Sequence, residues 1–258
     1  MEVIVRPDAD SAAALAARLI AARLRAKPGL VLGLATGRTM ERLYATLGSI
    51  QLDFSGCSTF NLDEYIGVPA EDAHSYRSYM NRHLFSRVNI NLAQTHVLDG
   101  MAPDLGLEAA RFEARIREAG GIDLQVLGIG EAGHIGFNEP LSALMSRTRE
   151  KALTPATRQQ NAAMFGGDPV KVPARALTMG VGTILEAREI LLLATGSAKA
   201  GVLAKAVEGP ITAMISASAL QLHPRCKVIV DEAAASALTQ RAYYDWVFHN
   251  EPEWADYR

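Results

Sequence analysis

The stretch Ile122-Asp123-Leu124-Gln125-Val126-Leu127-Gly128-Ile129, running into Gly130-Glu131-Ala132-Gly133-His134-Ile135-Gly136-Phe137-Asn138-Glu139-Pro140, decides the fold. Ile122–Ile129 reads as a central strand, and four glycines surround one histidine directly after it. On its N-terminal side, Leu105–Ala119 reads as a helix stopped by Gly120-Gly121. Further upstream, Leu30–Ala35 is a continuous apolar run, as expected of a strand buried on both faces. The same alternation extends outward. Val3–Val5, Ser58–Leu62, His96–Leu98, Glu189–Ala194 and Lys227–Val230 read as strands. Ser11–Leu24 (capped by Asp8 or Asp10), Arg38–Leu47, Ser75–Phe85, Ser197–Val207 and Ala233–Leu238 read as helices. Strand-helix alternation over the whole length predicts one α/β domain over 1–258. Its expected core is an open, mainly parallel, twisted sheet of Rossmann-like type with helices on both faces. Residues 146–173 break the rhythm with polar turns, Gly166-Gly167 and Pro169, and read as a mobile lid.

Composition narrows the class. The chain has 258 residues, 49% apolar and 21% charged, enough to bury a sizeable core. A net charge of −2 gives no overall positive field, so nucleic acid is not an expected partner. No apolar run reaches membrane-spanning length and no secretory signal is present, so a cytoplasmic protein is expected. Cys57 and Cys226 have no paired spacing and read as buried thiols, not a disulfide or metal site.

In open sheets ligands sit beyond the carboxyl ends of the strands, so four loops carry the functional reading. Thr36-Gly37-Arg38-Thr39 follows a buried strand and opens a helix. Free N–H groups, hydroxyls and Arg38 there suit a phosphate, and an ordinary helix start is the alternative. Asp63 and Glu64 stand side by side at a strand end and cannot both face the same way. One can act as a base while the other holds a helix or neighbouring loop, and an N-cap pair is the alternative. His134 lies in a glycine-dense turn five residues before Glu139, which suits an acid/base group. A metal is the weaker reading, because no second His or Cys stands at ligand spacing. Lys199 sits in the first turn after Thr195-Gly196 and offers either a second cation for the same anion or a solvated lysine. Together these suit a phosphorylated small molecule that loses and regains protons.

The motifs LGLATGRT (32–39), TFNLDEYIG (59–67), HSYRSYM (74–80), GIGEAGHIGFNEP (128–140), SRTR (146–149), ALTMGVGTIL (176–185) and GSAKA (196–200) resemble, in order, those of glucosamine-6-phosphate deaminases (isomerases). The resemblance implies conversion of glucosamine 6-phosphate and water to fructose 6-phosphate and ammonia, without metal or organic cofactor. It implies that Asp63 moves a proton from C2 toward C1, that His134 with Glu139 assists ring opening, and that Thr36, Gly37, Arg38, Thr39 and Lys199 hold the phosphate. Glu64 and Gly133 fall within the same motifs and are included among the substrate-binding residues. Ser142, Arg149 and Lys151 match positions of the effector site of allosteric members, with Ala152 in place of the usual threonine and Tyr244 a loose match for a C-terminal tyrosine. The resemblance also implies a homo-oligomer. Departures are Ala132 where Asp or Asn is common, Ala163 where many members carry a lid arginine, and Arg38 and Met40 in the phosphate loop. Arg38 is expected to replace the lid arginine, the alternative being that it points to solvent and phosphate binding is weaker. A galactosamine-6-phosphate deaminase and a sugar-phosphate sensor with weak turnover are the alternatives.

Overall fold

A computed structural model describes all residues, 1–258. Its strands and helices alternate in chain order: β1 (Glu2–Arg6), α1 (Ala9–Ala26), β2 (Val31–Leu34), α2 (Arg38–Ser49), β3 (Ser58–Asn61), β4 (Asp63–Tyr65), α3 (Tyr76–His83), β5 (Thr95–His96), α4 (Leu105–Glu118) and β6 (Leu124–Leu127). The second half adds β7 (Arg149–Ala152), α5 (Pro155–Asn161), β8 (Arg175–Thr178), α6 (Val181–Leu185), β9 (Glu189–Ala194), α7 (Ala200–Val207), β10 (Cys226–Asp231), α8 (Glu232–Ala235) and α9 (Arg241–Asn250).

The main sheet has seven strands in the order β1-β10-β9-β6-β2-β3-β5, every pairing parallel. Every residue of β2, β6, β9 and β10 is buried, so both faces of the sheet are covered. Asp8, not Asp10, caps α1, its carboxylate accepting from Ser11 N–H at 2.7 Å. From β2 the chain winds outward through β3 to β5, then returns to β6 and winds the other way through β9 and β10. β2 and β6 therefore lie side by side where the strand order reverses. The loops leaving their carboxyl ends diverge and open a crevice.

A second sheet, β4-β8-β7, is antiparallel and departs from the sequence reading. Asp63-Glu64-Tyr65, read as loop, is a strand paired to β8 in the register Asp63↔Thr178, Glu64↔Leu177 and Tyr65↔Ala176. Segment 146–173, read as a loose flap, begins with β7 and continues through α5 and the 3-10 turn Ala162–Phe165. Tyr65, Tyr76, Phe137, Leu153, Ala162, Phe165, Val172 and Ala176 form an apolar cluster under it, separate from the 58-residue main core. Phe165 packs edge-on against Tyr65 and stacks on the His74 ring. The lid thus has a core of its own, because its widely spaced apolar residues all meet the small sheet. No helix is long and apolar enough to cross a membrane, and Cys57 and Cys226 are free, buried thiols.

Candidate active site

The crevice between β2 and β6 is a cavity of about 410 Å³, and four strand-end loops plus the lid line it. The loop after β2 contributes Thr36, Gly37, Arg38 and Thr39, with Gly37 as the N-cap of α2. The loop after β9 contributes Thr195 and Lys199, and the Thr39 and Thr195 hydroxyls lie 3.4 Å apart. Arg38 is exposed at the rim. Lys199 is half-buried, and burial, with Arg38 adding a like charge, lowers its affinity for a proton against the pull of Glu131. Hydroxyls, a helix start and two cations therefore line the same cavity.

A carboxylate, Asp63, and an imidazole, His134, line it as well. Asp63 is only 6% exposed, and burial, followed by the neighbouring charge of Glu64, raises its carboxyl to about 8. Gly136 lies beside it at φ +55°, where a Cβ would crowd the Thr178 hydroxyl at 2.9 Å and merely touch Asp63 Oδ2 at 3.5 Å. Gly130 makes room for the imidazole, since any Cβ would overlap the His134 ring. His134 is buried, and that burial lowers its basicity against the opposing charge of Glu139. Its Nδ1 stands 3.6 Å from Glu139 Oε2, beyond hydrogen-bond reach, and has no hydrogen-bond partner. Ala132 has no polar side chain to offer it one.

The adjacent carboxylates divide their work. Glu64 accepts from the N–H groups of Tyr65 (2.9 Å) and Tyr76 (2.9 Å) on Oε1, and of Arg77 (3.0 Å) on Oε2. It holds the start of α3, and its carboxyl rises to about 6 because burial outweighs those three donors. Glu64 does not line the cavity, contrary to its inclusion among the substrate-binding residues. Neither does Gly133, whose Cα faces Ile215 and Val202 behind the loop. Ser142, Arg149 and Lys151 lie outside the cleft. Ser142 Oγ is buried without a partner, and the Arg149 guanidinium, half-buried, donates to Asn138 Oδ1 at 2.9 Å. Ala163 is exposed and does not reach the cavity.

Several lining residues escaped the sequence reading. Arg42 lies one helical turn after Arg38, a spacing that could have flagged it, and pairs with Asp10. Tyr76 lies in a quoted motif without an assigned role. Gln160, Asn161 and Met164 come from the lid, and only its folding brings them in.

The fold and cleft define an α/β protein whose cavity lies at a topological switch point and is lined by hydroxyls, cations, a buried carboxylate and a buried imidazole. The family model for glucosamine-6-phosphate isomerases/6-phosphogluconolactonase matches residues 7–228. Glucosamine-6-phosphate deaminase of Streptomyces coelicolor is 46% identical over 98% of this chain and 99% of its own. That of Hahella chejuensis is 48% identical over 96% and 95%. A solved structure described as a monomeric glucosamine-6-phosphate deaminase superposes with a TM-score of 0.90 at 41% identity, covering 92% of this chain and 100% of that one. The chain belongs to the glucosamine-6-phosphate isomerase/6-phosphogluconolactonase family, and its curated relatives are glucosamine-6-phosphate deaminases. Lactonases such as that of Leishmania guyanensis, at 18% identity and a TM-score of 0.73, share the fold.

Proposed function

We propose that the protein converts glucosamine 6-phosphate and water to fructose 6-phosphate and ammonia. The observation that carries the reading is a single cleft lined by Thr36–Thr39, Lys199, Asp63 and His134. The phosphate anchors the sugar by a group remote from the reacting carbons, which orients C1 and C2. His134, its imidazole held neutral by burial, moves the proton that opens the pyranose ring. Asp63 then takes the proton from C2 and returns it to C1. The resulting C2 iminium adds water and releases ammonia.

The raised carboxyl of Asp63 fits an amino sugar in particular. Without a counter-charge the acid holds its proton to about pH 8, so it needs one to act as a base at neutral pH. The C2 ammonium of the substrate supplies it, since an adjacent cation favours the carboxylate. Arg38 takes the place of a lid cation, because it lines the cavity while Ala163 does not. A phosphorylated substrate does not cross membranes unaided, which fits a cytoplasmic protein. Ammonia release from glucosamine 6-phosphate, with galactosamine 6-phosphate assayed beside it, tests the reading. Faster release from the galactose epimer would reassign the sugar, and binding without release would make the protein a sensor.

A further inference from the structure

Glu139 has two neighbours and only one of them bonds to it. Its carboxylate is 2% exposed, and its hydrogen bonds come from Thr154, the N-cap of the lid helix α5. Thr154 N–H donates to Oε1 at 3.0 Å, and the Thr154 hydroxyl lies 3.3 Å from each carboxylate oxygen. That hydroxyl also accepts the capping bond from Thr157 N–H at 3.2 Å and lies 3.1 Å from Thr157 Oγ1, so its one proton is shared between Thr157 and Glu139. On the other side stands His134 Nδ1, unpartnered at 3.6 Å. The far end of α5 is tied to the same loop, because Gln160 Oε1 accepts from Glu131 N–H at 3.1 Å. Seated in this way, the lid helix touches the histidine's loop at both ends.

We propose that Thr154 is a positioning residue of the lid that sets how strongly Glu139 acts on His134. A carboxylate that receives two donors from Thr154 presents less charge to Nδ1 and is drawn toward the lid. Remove the hydroxyl, and more of the charge faces the imidazole, which favours its protonated form. The other charged groups bearing on His134 are Glu131, which favours the imidazolium, and Lys199, which opposes it. Thr154 makes no hydrogen bond to either, so the effect runs through Glu139 alone. The link to ring opening rests on the reaction proposed above, whereas the link to the histidine's proton does not.

The test follows the His134 ring signal by NMR from pH 4 to 9 without substrate, assigned by its loss in His134→Gln. In parallel, the acid limb of kcat is measured on glucosamine 6-phosphate, whose bound ammonium keeps Asp63 ionised. Thr154→Val should raise the His134 titration point by about half a pH unit and move the acid limb the same way, and Thr154→Ser should restore both. Thr154→Ala removes the same hydroxyl with less bulk than Val, so it too should move the titration upward even if the Val variant loosens the lid. An unmoved titration in both Val and Ala variants, or equal shifts in Val and Ser, would overturn the proposal. A shift in the NMR titration with no ammonia released by the parent protein would sink the reaction reading and leave the positioning role standing.

Discussion

Replacing Asp63 by Asn should disable the enzyme and stabilise the fold at the same time. Asp63 is 6% exposed and its carboxyl is raised from an ordinary 3.8 to about 8, mainly by burial and then by Glu64. The folded protein therefore binds this proton more tightly than the unfolded chain does. The stability this proton gives is complete below about pH 4. It drains away as pH rises through the window to about 8, because unfolding then lets the carboxyl ionise in water. At about 1.4 kcal/mol per pH unit the interval has a ceiling of about 6 kcal/mol. Water in the open cleft and relaxation around the ion reduce this to on the order of 2–4 kcal/mol. An asparagine side chain does not titrate, so the advantage of the Asp63→Asn variant over the parent should grow by that amount from pH 4 to 9. Urea unfolding of the two proteins at pH 4, 6, 8 and 9 measures the difference. The kcat of the variant should fall by at least about 100-fold, the usual contribution of a general base. Parallel stability curves across the pH series would refute the burial argument, and turnover within tenfold of the parent would refute the base.

Further expectations concern separate parts of the cleft. Arg38→Gly and Lys199→Ala should each raise KM for the phosphorylated sugar by about 10-fold or more, with the double variant worse than either; an unchanged KM in Arg38→Gly would remove that residue from the phosphate site. Glu64→Ala should cost about 2–4 kcal/mol in urea unfolding, since three N–H groups at the start of α3 lose their acceptor. A thermal midpoint equal to the parent's would show that those donors find water instead. Because burial lowers the basicity of His134, its ring in the free protein, followed by NMR, should titrate below the ordinary histidine value near 6.5; a titration above it would mean that Glu139 outweighs burial.

The parts of the fold legible in the sequence were those written as continuous apolar runs. Leu30–Ala35, Glu189–Ala194 and Lys227–Val230 are buried on both faces, so nothing in their local chemistry competes with a strand. The second sheet was not legible, because its strands carry no such signal. β4 is three residues, two of them acidic, and β7 is Arg149-Glu150-Lys151-Ala152, three charged residues and an alanine. Their pairing to β8 is a tertiary event. The lid's core was hidden for the same reason, with Leu153, Ala162, Phe165 and Val172 strung out between polar turns. In the cleft, Asp63, His134 and Lys199 stood out because each follows a strand end. The division of labour between Asp63 and Glu64 was visible as a constraint, and its assignment required the start of α3, twelve residues on from Glu64. Gln160 and Thr154 gave no signal, since only the docking of α5 brings them to the His134 loop. Arg42 could have been found from its one-turn spacing to Arg38.

The central claim, that Asp63 carries a proton between two carbons of an amino-sugar phosphate held in this cleft, is tested most directly by running the reaction in heavy water. The account predicts one ammonia per fructose 6-phosphate, the substrate's own C2 hydrogen at C1 of the product in at least part of the turnovers, and loss of both with Asp63→Asn. Ammonia formed at the parent rate by the Asp63→Asn variant, or no ammonia from the unaltered protein, would contradict it.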